Sequence, residues 1–516
     1  MTPDARLTAD HAAALPEAAR DRALRRLDWR FLRPGARCES PALVDPSPVA
    51  LRERRAQLAP GEICFAEWHR PVLGGAGAIQ AQLAAAGFDD VALYWPWPRL
   101  ARPWFWLPLG SEAAIAYVRA SRVPSRWGLR RGIDGPLQRA WARAARRGWL
   151  WPLAAVARAP RADVPAAAPD SPELLARLQR DWEKWNLGPA PGSITWMLLT
   201  RGPRSISKVV GLAFAEPDSV PRVAVKFARV PEAAEGLRRE AAALAAVHAR
   251  RAGGMPGAPR ILCEDPALGH GALAETALAG QPLYSLLTPA THRDLAVRAA
   301  DWLAELASPA AAPASAAPAS AAPRAGAAPM VERAVRDFVT QFGPVLERSE
   351  RDEAERVITV LHSVPSVIEQ RDFSPWNVHV APDGSLAVFD WESAELEGLP
   401  LLDLVYFLAY VAFFRDGAVV PGGRAPRRLG RCRESYRQSL DPKSATGAVA
   451  AACVDRYVSR VPLDPSLIRG LRRLTWLVHA RSDYRHAVAD AGGRAPGSRT
   501  LRRSLFLALW REELSA

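Results

Sequence analysis

The chain has 516 residues, 49% hydrophobic and 24% charged, with 68 Lys plus Arg against 54 Asp plus Glu, a net charge of +14. That length exceeds one ordinary core, so two or more domains are expected, and the hydrophobic share excludes a wholly disordered chain. The basic excess favours anionic partners such as nucleotides or acidic lipid, but no helix-turn-helix, zinc-finger or aromatic-basic RNA pattern accompanies it, so no specific nucleic-acid partner is expected. Cys38, Cys64, Cys263, Cys432 and Cys453 are scattered without Cys-x-x-Cys spacing, which fits free thiols in a reducing compartment. No apolar signal core follows Met1, and the most apolar run, Leu399 to Phe414, contains Asp403 and is too short to span a bilayer; a cytoplasmic chain is the expectation.

Residues 1–27 read as polar helix, with ordered structure from Leu27. Ile63–Trp68 and Val91–Trp95 read as strands flanking a helix that begins after Gly74-Gly75-Ala76-Gly77, a β-loop-α-β unit. Glycines at such a junction can bind phosphate at the helix N-terminus, but their spacing matches neither the dinucleotide nor the Walker pattern. Pro60-Gly61-Glu62 before a strand and Ala84-Ala85-Ala86-Gly87-Phe88 at a helix end give residues 27–110 a loose resemblance to the last third of a class I methyltransferase domain. The glycine-rich cofactor half of such a domain is missing from residues 1–60, so the resemblance implies a scaffold rather than an S-adenosylmethionine site. Trp95, Trp97, Trp104 and Trp106, and farther on Trp141, Trp149 and Trp151 beside Arg139, Arg143, Arg146 and Arg147, read as a domain seam; the alternative is contact with a membrane surface. A Pro/Ala linker at 159–170 ends this small α/β domain, taken as 1–158.

Ser171-Pro172-Glu173 marks a helix start running to about Asn186. Ile194–Leu199 and Ser207–Leu212 read as strands joined by a turn that includes Ser205. In Val223–Phe227, alternation places Lys226 with Ala224 opposite the apolar face of Val223, Val225 and Phe227. A lysine there needs a partner. Glu240, in the helical stripe of Leu237, Leu244 and Val247, is the candidate. Ala272–Leu283, with Glu275, reads as a strand and hinge. The segment 308–329, with its repeated Ala-Ala-Pro-Ala-Ser, is low-complexity and is expected to be a disordered insertion, and Met330 to Leu361 resumes as amphipathic helix.

The densest signal is Gln370-Arg371-Asp372-Phe373-Ser374-Pro375-Trp376-Asn377. It runs into two apolar triplets around Pro382-Asp383-Gly384-Ser385 and then Asp390-Trp391-Glu392. Asp-Gly between apolar runs predicts a hairpin, and a turn centred on Asp383-Gly384 would place Asn377 opposite Asp390. Pro375 keeps Asp372 on a loop that reaches the same space. A carboxylate and an amide oxygen together suit a hard cation such as Mg²⁺ shared with phosphates. Gly398-Leu399-Pro400-Leu401-Leu402-Asp403 follows, then a buried helix from Leu401 to Phe414. An arginine-rich stretch from Arg424 to Arg437 reads as a solvated face. Helices near 445–460, 466–490 and 498–514 complete the chain.

Asp372-x-x-x-x-Asn377, the hairpin, Asp390-Trp391-Glu392 and Gly398-x-Pro400-x-x-Asp403, in that order, resemble the aminoglycoside phosphotransferase and choline kinase family of the protein-kinase-like fold, over about 171–516. The resemblance implies an α+β, two-lobed phosphotransferase domain preceded by the small α/β domain, with a nucleotide-binding lobe at 171–285 and a helical lobe at 286–516. It implies ATP and Mg²⁺ as cofactors and a small-molecule hydroxyl as acceptor. Asp372 would be the catalytic base and Asn377 and Asp390 the metal ligands. Lys226, Glu240, Ser205 and Glu275 would serve the nucleotide. The family's usual His-Gly before the catalytic aspartate is Gln370-Arg371 here, which bears on loop geometry. The alternatives are a nucleotide-binding pseudokinase whose N-terminal domain acts as scaffold, or a peripheral-membrane factor of envelope polysaccharide or lipid synthesis.

Overall fold

The computed structural model describes residues 15, 17–36, 41–120, 134–160, 174–202, 204, 206–251, 253–308, 327–419, 429–490 and 493–516. These fall into two units, Met1–Arg238 with Arg260–Leu278, and Arg239–Pro259 with Ala279–Ala516.

The first unit is built on one ten-stranded sheet. Its strands are β1 (Leu43–Val44), β2 (Ile63–Trp68), β3 (Asp89–Trp97), β4 (Phe105–Pro108), β5 (Leu153–Arg158), β6 (Ile194–Leu199), β7 (Val209–Ala215), β8 (Val223–Phe227), β9 (Ile261–Asp265) and β10 (Ala272–Thr276), in the spatial order β1-β2-β5-β3-β4-β6-β7-β8-β10-β9. The β2-helix-β3 unit is present, but β5 lies between its two strands and runs antiparallel to both. Every residue of β5 is buried, as a run of Leu, Ala and Val in a central strand requires. Across the linker, β4 pairs with β6 through Phe105 with Leu199 and Trp106 with Leu198, so the N-terminal segment and the strands after the linker share a sheet.

Tryptophans fill this join. Trp95 packs edge-on to Phe105, and both sit in a buried cluster with Met197, Leu212 and Phe214, while Trp149 stays 60% exposed. Helix α1 (Glu17–Arg26) leads into a 3-10 turn, Asp28–Leu32, where Trp29 stacks on Phe65 at 4.4 Å and Phe31 on Phe227 at 4.8 Å. Helix α2 (Gly75–Ala85) explains its glycines locally: a Cβ on Gly75 would lie 3.3 Å from the Gly148 carbonyl oxygen, which accepts a hydrogen bond from Ala76 N. The helix start at Ser171 and residues 161–173 of the linker region lie outside the described residues.

The second unit is helical around two small sheets, β11 (Gln281–Pro282) with β13 (Val378–Val380) and β14 (Leu386–Val388), and β12 (Val367–Glu369) with β15 (Glu395–Gly398). The C-terminal part of α3 (Pro231–Ala249) belongs here, with α4 (His292–Ala307), α5 (Ala328–Phe342), α6 (Arg348–Val360) and α7 (Leu402–Arg415). The single helix expected from Met330 to Leu361 is two, because Pro344 cannot continue the ladder and a capping box between Glu347 and Glu350 starts the second. Helix α7 is buried from Leu402 to Phe413, as its nearly unbroken apolar sequence demands. Residues 309–326, most of the low-complexity segment, and 420–428, with Arg424, Arg427 and Arg428, lie outside the described residues. Among the described residues no helix is long and apolar enough to cross a membrane.

Candidate active site

The hairpin forms with a register one residue away from the expected one. Val378 pairs with Val388, His379 with Ala387 and Val380 with Leu386, and Ala381 N donates to Ser385 O, so the connection is the three residues Pro382-Asp383-Gly384. Pro382 suits the first central position of a type I turn, and Gly384, at φ +85°, takes the left-handed closing position. Asn377 therefore opposes Phe389, whose N–H donates to Asn377 O at 2.9 Å, and not Asp390. A one-residue slip would normally flip Asp390 to the other face. Asp390 instead has φ +61°, so the chain leaves the ladder there.

Asp372 and Asn377 are joined directly. Asn377 Nδ2 donates to Asp372 Oδ2 at 2.7 Å and to Asp372 O at 3.0 Å, so of its amide only Oδ1 is left as a cation ligand. Pro375 and Phe373 hold the loop: Pro375 O accepts from Tyr284 N, and the Phe373 ring stacks on Trp302 and packs against Phe407. Glu240 is fully buried, and its Oε1 accepts from Trp391 N at 2.9 Å, fixing the backbone beside Asp390.

Gln370, marked in the sequence only as a departure from the family pattern, joins the two loops. Its buried Oε1 accepts from Asp372 N at 2.9 Å, and its Nε2 donates to Phe389 O at 3.0 Å and Asp390 O at 2.7 Å. A side-chain amide carries acceptor and donors at one end, so one residue serves both loops. Asp403, read in the sequence only as the end of a motif, accepts from Gln370 N at 2.7 Å and Arg371 N at 2.8 Å. Arg371, at φ +68°, donates to Glu395 at 2.9 Å and lies 3.8 Å from Glu369. Gly398 permits the close approach of β12 and β15, since a Cβ there would fall 2.4 Å from the Glu369 Cβ.

Burial dominates the electrostatics. It raises the Asp372 carboxyl to about 7, helped by the charges of Asp390 and Glu392 and opposed by the hydrogen bond from Asn377. Burial, then Glu369, pushes Asp403 well above the ordinary carboxylate range against the two backbone donors. Among the described residues no group of three or more His, Cys, Asp or Glu could hold a metal. The Asp390 carboxylate and Asn377 Oδ1 are oxygen donors of the type that Mg²⁺ takes together with phosphates and water.

In the first unit, Lys226 Nζ lies 2.7 Å from Glu275 Oε1, both side chains buried. Leu273 is the direct cross-strand partner of Lys226, so Glu275, two residues along β10, reaches it diagonally. Glu275 thus meets the lysine with its side chain, a contact that the reading of this stretch as a hinge did not contain. Ser205 lies outside the described residues.

Residues 214–438 match the model of the phosphotransferase enzyme family. The matched segment contains Lys226, Glu240, Glu275, Asp372, Asn377, Asp390 and Asp403. Similar solved structures include a macrolide 2'-phosphotransferase of Brachybacterium faecium, with 15% identity, 65% of this chain and 97% of that chain covered, and a TM-score of 0.36. An aminoglycoside phosphotransferase of Alicyclobacillus acidocaldarius has 14% identity, covers 69% and 96%, and has a TM-score of 0.36. For an ethanolamine kinase of Plasmodium vivax the values are 10%, 62%, 83% and 0.36. No curated protein sequence matches the chain.

Proposed function

We propose that the protein is an ATP- and Mg²⁺-dependent phosphotransferase that moves the γ-phosphate to a hydroxyl of a small molecule in the cytoplasm. The observation that carries this reading is the Asp372–Asn377 hydrogen bond, in a loop that Gln370 ties to the backbone of Asp390. The acceptor oxygen attacks the γ-phosphorus, the bond to the β–γ bridging oxygen breaks, and ADP leaves. Asp372 orients the hydroxyl and takes its proton, a role typically worth about 10²–10⁴ in rate. Asn377 and Asp390 would hold Mg²⁺, whose charge would offset that of the nucleotide phosphates. Lys226, paired with Glu275, would bind the α- and β-phosphates, Glu240 supports the backbone beside Asp390, and Ser205 would serve the nucleotide.

In this reading 171–285 is the nucleotide-binding lobe, 286–516 the helical lobe with an insertion at 308–329, and 1–158 a scaffold. The shared sheet across β4 and β6 supports the scaffold role. The test is ADP release from Mg-ATP across a panel of sugars, amino alcohols and aminoglycosides, with wild type beside Asp372→Asn. Acceptor-dependent release that the substitution abolishes is the expected result. Release that the substitution leaves intact would refute the role of Asp372.

A further inference from the structure

Residues from the start of the chain hold the β6–β7 turn. Arg229, three positions past Lys226, sends Nε to Asp28 Oδ1 at 2.7 Å and Nη2 to Asp28 Oδ2 at 2.8 Å. Its remaining nitrogen, Nη1, faces the turn, 2.6 Å from Ser207 O, 3.3 Å from Arg204 O and 3.4 Å from Gly202 O. The Arg229 and Asp28 side chains are 1% and 0% exposed. Arg25, on the last turn of α1, donates to Thr200 O at 3.2 Å and Pro103 O at 3.3 Å, and Thr200 Oγ1 donates to Pro103 O at 2.9 Å. The leading arm of the turn is thus fastened to Arg25, and the rest of it to Arg229, which is itself held by Asp28.

The arrangement follows from the chemistry of the guanidinium. Its planar fork matches a carboxylate with one edge and leaves the other nitrogen for carbonyls. A buried cation without a counter-charge is costly enough that Arg229 could not stay among those carbonyls unless an anion shared the site. Asp28 is that anion, and the stacks of Trp29 on Phe65 and Phe31 on Phe227 fix the 3-10 turn that carries it.

We infer that Asp28, acting through Arg229, is a positioning residue for the nucleotide: it locks the 200–207 turn in register with Lys226, which makes the N-terminal segment part of the ATP site. The inference rests on the phosphotransferase reading for the turn's ligand, while the lock itself rests on the contacts alone.

Asp28→Asn and Arg229→Lys test it in the full chain by two measurements. One is Mg-ATP kinetics and affinity; the other is hydrogen exchange along the chain. Asp28→Asn should raise KM for ATP by about tenfold, the scale of a misplaced binding group, with a smaller change in kcat and none in KM for the acceptor. Exchange should quicken in the 200–211 segment and stay at the wild-type rate in β9 and β10. Arg229→Lys keeps the charge but loses the fork, so it should show the same pattern and guards against a folding defect in the first variant. Unchanged ATP affinity and unchanged turn exchange would overturn the inference, as would uniform loss of protection in both variants, the mark of a purely structural pair. Wild-type protein that binds no ATP would refute the parent reading and the nucleotide role together. Turn exchange would then still decide the lock.

Discussion

The chain holds backbone with buried charge in two places, and the two differ in how far the charge comes from. In the candidate active site Asp403 anchors Gln370 and Arg371, and Gln370 in turn ties Asp372 to the backbone of Asp390; every partner lies within about three dozen residues. In the first unit, Asp28 anchors Arg229 across a separation of 201 positions, and Arg229 anchors a turn. The physical device is the same, a carboxylate satisfying donors that water cannot reach. What differs is the origin of the partner. The network around Asp372 is internal to the matched segment 214–438. The turn's anchor is supplied from outside it, by Asp28 of the 3-10 turn Asp28–Leu32.

Breaking the chemical side of this contrast should have the largest effect. Asp372→Asn is expected to lower kcat by about 10²–10⁴ while the melting temperature stays close to wild type, read by ADP release and calorimetry. Loss of fold in this variant would mean that Asp372 acts as a structural group like Asp403.

Asp403→Ala should show the reverse pattern. It leaves the N–H groups of Gln370 and Arg371 without their acceptor, at about 1–3 kcal/mol each, and urea unfolding should register the loss. Gln370→Leu should fall between them. Without the amide, the loops of Asp372 and Asp390 lose their link, and kcat should drop by up to about 10², with only modest change in the urea midpoint. Full activity in Gln370→Leu would show that the link does not position the carboxylates.

The last prediction concerns pH. Burial, then the charge of Arg371, pushes His479 down to about 3 from its ordinary 6.5, and its ring stacks on Tyr406. The folded chain therefore keeps this imidazole neutral where the unfolded chain protonates it. Its contribution is complete above about 6.5 and is lost progressively as pH falls toward about 3. Thermal melts of His479→Phe should decline less steeply with acidification over that window than those of the wild type.

Much of the strand pattern of the first unit was legible because its information is local. The strands Ile63–Trp68, Ile194–Leu199 and Val223–Phe227 are found with the expected bounds, since β-rich apolar runs were closed off by turn residues. The hairpin was legible as an element but not in register: Asp-Gly signals a two-residue turn, whereas Pro382 ahead of it selects a three-residue one. Gln370 looked like a defect in a motif because its three partners are backbone groups, invisible in residue types. The place of β5 between β2 and β3, and the Asp28–Arg229 pair, could not be read at all. Nothing local distinguishes an aspartate in Leu27-Asp28-Trp29 that binds a distant arginine from one that faces water.

The most direct test of the central claim is calorimetric titration of the full-length protein with ATP, with and without Mg²⁺, for wild type and Asp390→Asn. The account predicts that wild type binds ATP more tightly when Mg²⁺ is present and that Asp390→Asn loses this increment. Failure of the wild type to bind ATP, or a Mg²⁺-dependent increment that survives in Asp390→Asn, would contradict it.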